Sequence, residues 1–180
     1  MSDNRERRWR LALGGEDDQL GAEDQRLSGA LTALYGEGDD ELQDVVIRML
    51  RQRGKTLSTA EVSTDGQTAR WLSIASGSKG PYRGGLVVAA DKQSPSDDHD
   101  TAYVRDLAIY CRTMFRTDFA LAIGRMPQSR EGDVVGHVHF ALASESGERA
   151  LRVSSGIHPD ILTDYLAKHA INLLRLELLG

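Results

Sequence analysis

The sequence has few of the residues that build disulfide-crosslinked or membrane-spanning proteins. It contains one cysteine, four prolines and 6% aromatic residues in a chain of 180 residues. A single cysteine excludes an internal disulfide and favours a reducing compartment. No apolar run approaches the roughly 20 residues that span a bilayer. Residues 1–10 are charged and lack the apolar core of a secretory signal, so we expect a cytoplasmic protein without a membrane partner.

The charge balance also excludes some classes of partner. The formal net charge is only −5, and no segment of the sequence is strongly basic. General affinity for nucleic acid is therefore not expected. The length is that of one ordinary domain with room for an extra segment, and it is sufficient for a real hydrophobic core.

The first forty residues differ from the rest. A short basic and apolar segment is followed by an acidic, glycine-bearing linker and then by leucines at helical spacing. We predict that 1–40 is a helical appendage and that 42–180 is the main domain. The large apolar side chains of segment 1–40 could either pack on the main domain or dock a partner. The candidate docking residues are Trp9, Leu13, Leu27, Leu31, Leu34 and Tyr35.

The rest of the chain alternates between strand and helix patterns. Periodicity predicts helices over 41–53, 64–75, 102–116 and 159–179, and strands over 56–62, 82–90, 118–123, 134–143 and 149–154. The last two strands form a hairpin with its turn at 145–147, and residues 94–100 are predicted to form a polar loop. This order indicates an α/β fold with a mixed sheet and flanking helices.

The segment 57–66, LSTAEVSTDG, is the most informative part of the sequence. A strand that ends at small polar residues and opens a helix presents backbone N–H groups and hydroxyls to an anion or a carbonyl. Ser, Thr, Asp and Gly at this position are also the residues of an ordinary helix N-cap, so both interpretations stay open.

Two longer segments of the chain are LRQRGKTLSTAEVSTDG and WLSIASGSKGPYRGGLVVA. They are similar to LxxxGxTLATAESCTGG and xLTxxPGSSxxFxGGxVxY, which are motifs of the C-terminal domain of the CinA family, the nicotinamide-nucleotide amidases. The resemblance to this family extends from Leu50 to Leu179. TDFALAIG followed by GDVVGHVHFALASESGE resembles ADxGLAVTG followed by xPVGTVxIALAxxxG. The resemblance implies a CinA-like layered α/β domain that forms homo-oligomers. It also implies a serine nucleophile assisted by a tyrosine and a lysine, and a glycine-rich loop that helps to hold the nucleotide.

The chain departs from this pattern where the chemistry would lie. Val62 stands at the position of the serine, and its isopropyl group has no hydroxyl to attack an amide. Ser63 follows one residue later, on the other face of an extended strand. Asp65 replaces the first glycine, where a carboxylate repels a phosphate. The remaining departures are Ala89 at the tyrosine position, Ser94 near the lysine position with Lys92 two residues earlier, and Arg125, Met126 and Gln128 in the glycine-rich loop.

We therefore predict a pseudoenzyme, a binding or assembly module without a cofactor. Its remnant cleft would hold a nucleotide-like ligand and would be lined by Val62, Ser63, Thr64, Gly66, Gly84, Gly85 and Arg125. The alternative is an active amidohydrolase of nicotinamide mononucleotide or a related amide that uses Ser63 or Thr64 with Lys92. The N-terminal segment also resembles the start of bacterial proteins with a von Willebrand factor A domain, often encoded with MoxR-type ATPases, which implies a partner in such a system.

Metal sites are not expected. His137 and His139 alternate on one strand and share a face, but the pattern of the strand favours two exposed polar residues over a metal pair. Asp97, Asp98, His99 and Asp100 lack the glycine and the distal glutamate of a calcium loop. Cys111 lies on the apolar face of a predicted helix, and we expect it to pack in the core.

Overall fold

A computed structural model describes residues 41–89, 97–126, 136–154 and 159–180 of the chain. The six candidate docking residues of the N-terminal segment, together with Lys92, Ser94 and Gln128, lie outside these ranges. In the described part of the chain, none of the helices is long and apolar enough to cross a bilayer.

The centre of the domain is a mixed sheet of five strands in the order β2-β1-β3-β4-β5. The strands are β1 (Leu57–Glu61), β2 (Tyr82–Val87), β3 (Phe119–Ile123), β4 (His137–Ser144) and β5 (Gly147–Ser154). β1 pairs in parallel with β2 and β3, and the antiparallel β4–β5 hairpin continues the sheet from β3. This confirms the predicted α/β fold with a mixed sheet and a terminal hairpin.

Four helices of the described region cover the sheet. They are α1 (Leu42–Gln52), α2 (Gln67–Ile74), α3 (Asp97–Phe115) and α4 (Pro159–Leu179). α3 packs on one face of the sheet, where it contacts every strand, while α2 and α4 contact the sheet from the other face and α1 packs on α4. The result is a layered domain in which the middle strands are buried on both faces, as the near-continuous apolar runs of β3 and β4 require.

The face beneath α3 is built from small side chains. Its buried residues are Ala60, Ala120, Ala122, Ala141 and Ala143 of the sheet, and Val104, Ala108 and Cys111 of α3. Because alanine occupies little volume, α3 lies close to the strands, and this proximity buries Cys111 completely. Its thiol donates a hydrogen bond to the Thr59 carbonyl oxygen at 3.1 Å. The prediction that Cys111 packs in the core is confirmed.

The thiol of Cys111 is expected to be unreactive in the folded protein. Burial raises its pKa, so little of the reactive thiolate is present near neutral pH, and reagent cannot reach the sulfur. Dithionitrobenzoate should therefore titrate no thiol in native buffer and one thiol per chain in denaturant. Rapid labelling of the native protein would contradict the packing of α3 on the alanine face.

The predicted polar loop at 94–100 is wrong from Asp97 onward, because α3 begins there, and residues 94–96 lie outside the described ranges. The DDHD sequence at 97–100 forms the first turn of the helix, a position at which acidic residue types are favoured. The helix at 64–75 begins three residues later than predicted, at Gln67. Asp65 and Gly66 have φ of 49° and 79°, and this left-handed backbone is incompatible with an α-helical turn.

Candidate functional site

The candidate site lies at the carboxyl ends of β1 and β3. The chain passes from β1 to β2, which lies on one side of β1 in the sheet. It then passes from β2 to β3, which lies on the other side of β1, so the direction of the strand order reverses here. In open α/β sheets, ligands bind at such a switch point, outside the carboxyl ends of the strands. Residues 62–66 leave β1 at this edge, and residues 124–126 leave β3 beside them.

Glu61 is the last residue of β1, and its carboxylate caps the N-terminus of α2. Glu61 is fully buried, and its oxygens accept hydrogen bonds from the backbone N–H groups of Thr68 at 3.0 Å and Ala69 at 2.7 Å. The Gln67 N–H donates to the Thr64 carbonyl at 2.8 Å. The N–H groups of the first turn are thus satisfied inside the protein. An external anion at this helix start would have to displace a buried carboxylate.

Val62 and Ser63 follow directly on this carboxylate. The Val62 side chain is buried, with 4% of the residue exposed, and its N–H donates to the Ile123 carbonyl at 3.0 Å. The Ser63 hydroxyl oxygen accepts a hydrogen bond from the backbone N–H of Met126 at 2.7 Å. Within the described residues, neither an imidazole, an amine nor a carboxylate contacts that hydroxyl. Ser63 therefore joins the β1 and β3 loops, and the described part of the chain places no general base in contact with it.

Thr64 and Gly66 lie on the α2 side of the turn. Thr64 is fully buried, and its hydroxyl donates to Glu61 Oε2 at 2.6 Å. A Cβ on Gly66 would lie 3.1 Å from Val87 Cγ2, so this left-handed glycine also packs closely against β2. The contacts of both residues are internal to the fold.

Arg125 follows β3 on the α3 side of the sheet, where its side chain is 16% exposed. Its Nη1 lies 3.4 Å from Asp100 Oδ1, and the guanidinium carbon lies 4.5 Å from the centre of the Tyr103 ring. Asp100 and Tyr103 both belong to the first two turns of α3. The helix that was predicted to begin at 102 thus brings a carboxylate and an aromatic ring to the site because it begins earlier.

The same first turns of α3 cover His139. Its Nδ1 lies 2.9 Å from the Thr101 hydroxyl, and only 3% of the residue is exposed, whereas His137 is exposed. The prediction that both histidines point to solvent is wrong for His139, since β4 is covered on both faces. Among the described residues, no group of three or more histidine, cysteine, aspartate or glutamate side chains is placed to hold a metal ion.

The structure does not bring all the predicted cleft residues together. Val62, Ser63 and Arg125 all lie at the carboxyl edge of β1 and β3. Gly84 and Gly85 pair with Ser58 and Thr59 inside the β1–β2 ladder, before the end of β2. Sequence reasoning missed Glu61, Thr101 and Tyr103, and only the contacts between α3 and the strand ends reveal the last two.

These features define a layered α/β domain with a candidate ligand site at a topological switch point. No protein-family model matches the chain. A CinA-like protein of Frankia casuarinae is 32% identical over 173 residues, which cover 85% of this chain and 40% of that protein. A CinA-like protein of Synechococcus is 30% identical over 161 residues, which cover 80% of this chain and 39% of that protein. The chain thus aligns with about two fifths of the length of these relatives.

Solved structures share the fold. A CinA superfamily protein from Enterobacter cloacae has a TM-score of 0.68 at 21% identity and covers 91% of this chain and 99% of its own. The competence or damage-inducible protein from Enterobacter asburiae has a TM-score of 0.66 at 22% identity, and the match covers 77% of this chain and 96% of that protein. The sequence relatives support membership of the CinA-like protein family, and the solved structures show that the fold is shared.

Proposed function

We propose that this chain is a non-catalytic CinA-like binding module that retains a ligand site at the switch point. The observation that carries the proposal is Val62. It occupies the position of the family's serine nucleophile, and its buried isopropyl group can neither attack a carbonyl nor exchange a proton.

The neighbouring hydroxyls do not replace the missing serine. The Ser63 oxygen is engaged by the Met126 N–H, and no base contacts it within the described residues. The Thr64 hydroxyl is completely buried and bonded to Glu61, whose carboxylate also caps α2. A nucleophile must reach its substrate and lose its proton to a base, and neither residue meets both conditions.

The test is incubation of the purified protein with nicotinamide mononucleotide while ammonia release is measured. A CinA-like amidase with an intact serine motif serves as the positive control. The wild type should release no ammonia above the protein-free blank. Ser63→Ala should leave this result unchanged, and it should lower the melting temperature slightly because the Met126 N–H loses its acceptor. Turnover that Ser63→Ala abolishes would overturn the proposal and establish the alternative, an amidohydrolase with a rebuilt active site.

Val62→Ser separates the missing hydroxyl from the rest of the site. It restores a hydroxyl at the nucleophile position but leaves Asp65 and Ala89 in place, so we expect no ammonia release. Exchange of a buried isopropyl group for a hydroxymethyl group should lower the free energy of unfolding by about 1–3 kcal/mol. Urea denaturation measures this change, and Val62→Ala is the matched control. Ammonia release by Val62→Ser alone would show that the helper groups are still present.

The assembly part of the proposal concerns residues 1–40 and rests on the sequence alone. A partner from a von Willebrand factor A or MoxR-type system would bind this segment, and the chain would form a homo-oligomer as the family resemblance implies. Deletion of 1–40 should then abolish capture of that partner while the domain from 42 to 180 keeps its melting temperature. A deletion variant that still captures the partner would exclude this segment as the docking site.

A further inference from the structure

Arg125 has fewer hydrogen-bond acceptors than a buried guanidinium requires. An arginine carries five N–H donors in a planar fork. Within the described ranges, the guanidinium of Arg125 has one acceptor, Asp100 Oδ1, at the long distance of 3.4 Å from Nη1. Its Nε is buried and has no hydrogen-bond partner among the described residues. Nε is thus removed from water with no acceptor among the described residues, and Nη1 has a single long hydrogen bond.

This arrangement is unfavourable unless another group supplies acceptors. Burial of a charge is costly when the charge is not fully paired and hydrogen-bonded. Since Asp100 contacts Nη1, the Nε side of the guanidinium is the edge that has no acceptor among the described residues. That edge, made of Nε and Nη2, is one with which arginine binds carboxylates and phosphates through two parallel hydrogen bonds.

The position of Arg125 also fits a ligand-binding group. The residue lies at the switch point, two residues after the end of β3. The ring of Tyr103, at 4.5 Å, holds the guanidinium plane from one side. An arginine that is ordered before the ligand arrives loses less conformational entropy on binding, which favours affinity.

We propose that Arg125 binds the oxyanion of a small ligand, a phosphate monoester or a carboxylate, at the switch point. The ligand accepts hydrogen bonds from the Nε–Nη2 edge of the guanidinium and competes with Asp100 for its charge. This inference rests on the proposed binding function and names the ligand class of that site. It requires no turnover, so a failure of the amidase test and a failure of this proposal are separate results.

The experiment uses the full chain and matched probes in calorimetric titrations. Inorganic phosphate tests the anion alone. The affinity for nicotinamide mononucleotide is compared with that for nicotinamide riboside, which lacks the phosphate monoester. The affinity for nicotinate, which carries a carboxylate, is compared with that for the neutral amide nicotinamide. The variants are Arg125→Gln, Asp100→Asn, and Arg149→Gln as a control, because Arg149 forms an exposed ion pair with Glu177.

At least one anionic probe should bind more tightly than its neutral counterpart, and the pair that shows the difference identifies the anion. Arg125→Gln should weaken that binding about tenfold or more, since charge-assisted hydrogen bonds are lost. Asp100→Asn should strengthen it, and Arg149→Gln should leave it unchanged. Equal affinities of wild type and Arg125→Gln for every probe would overturn the proposal.

Thermal unfolding without ligand distinguishes a binding arginine from a structural one. Because the cation is poorly paired, Arg125→Gln should keep or raise the melting temperature. A lower melting temperature in Arg125→Gln, with unchanged affinity for the anion, would show that Arg125 only fastens α3 to the strand ends and would refute the proposal. The conservative variant Arg125→Lys should recover part of the affinity, as a point charge without the planar fork.

Discussion

Replacement of Glu61 by alanine is expected to lower the free energy of unfolding by about 2–4 kcal/mol. The carboxylate is completely buried and accepts from Thr64 Oγ1 at 2.6 Å, Ala69 N at 2.7 Å and Thr68 N at 3.0 Å. Its removal leaves a buried hydroxyl and two helix-start N–H groups without their acceptor. It also removes the negative charge that stabilises the positive end of α2.

Urea denaturation measures the loss, and Glu145→Ala is the control, because Glu145 is exposed in the β4–β5 turn. The control should change stability by no more than about 0.5 kcal/mol. Hydrogen exchange adds a local readout, since the amide protons of Thr68 and Ala69 should lose protection in Glu61→Ala. If Glu61→Ala were as stable as the control, the carboxylate would not be what anchors α2 to the sheet.

A comparable loss, about 2–3 kcal/mol or more, is expected for Gly85→Ala. A Cβ at this position would lie 2.9 Å from both the Thr59 carbonyl oxygen and the Tyr82 hydroxyl, and it would also contact Thr59 Oγ1. The Thr59 and Tyr82 hydroxyls are themselves bonded at 2.7 Å, and burial raises the pKa of Tyr82, so the phenol stays neutral and in place. The methyl group therefore has no space unless β2 separates from β1.

Gly54→Ala is the matched control for this substitution. Gly54 has φ of 62°, and a Cβ there meets no atom within 4 Å, so only backbone strain of about 1 kcal/mol is expected. Thr59→Ala combined with Gly85→Ala should recover part of the loss, because it removes the Oγ1 contact. Equal losses in Gly85→Ala and Gly54→Ala would contradict the steric explanation.

The sequence predicts the fold well because the hydrophobic patterns are strong. The terminal helix at 159–179, the mixed sheet and the last hairpin are all present. Errors occur where local signals compete. The acidic run before Ala102 is typical of both a solvated loop and a first helical turn, and only the packing of α3 on the sheet decides between them.

The candidate site is less predictable than the fold. The turn after β1 is recognisable from its residues, but the burial of Thr64 and the internal role of Glu61 depend on distances that the sequence does not contain. The burial of His139 follows from the true start of α3. The partners of Arg125 come from residues 22 to 25 positions earlier in the chain, Tyr103 and Asp100. Such contacts between elements are set by tertiary packing and leave no periodic signal.

The central claim is that this CinA-like domain binds at its switch point without hydrolysing an amide. Its most direct test is ammonia release from nicotinamide mononucleotide by the wild-type protein, assayed beside an intact family amidase. The account predicts a rate equal to the protein-free blank, because Val62 has no nucleophilic group and none of the described residues supplies Ser63 with a base. Sustained release above the blank that is lost in Ser63→Ala would contradict it.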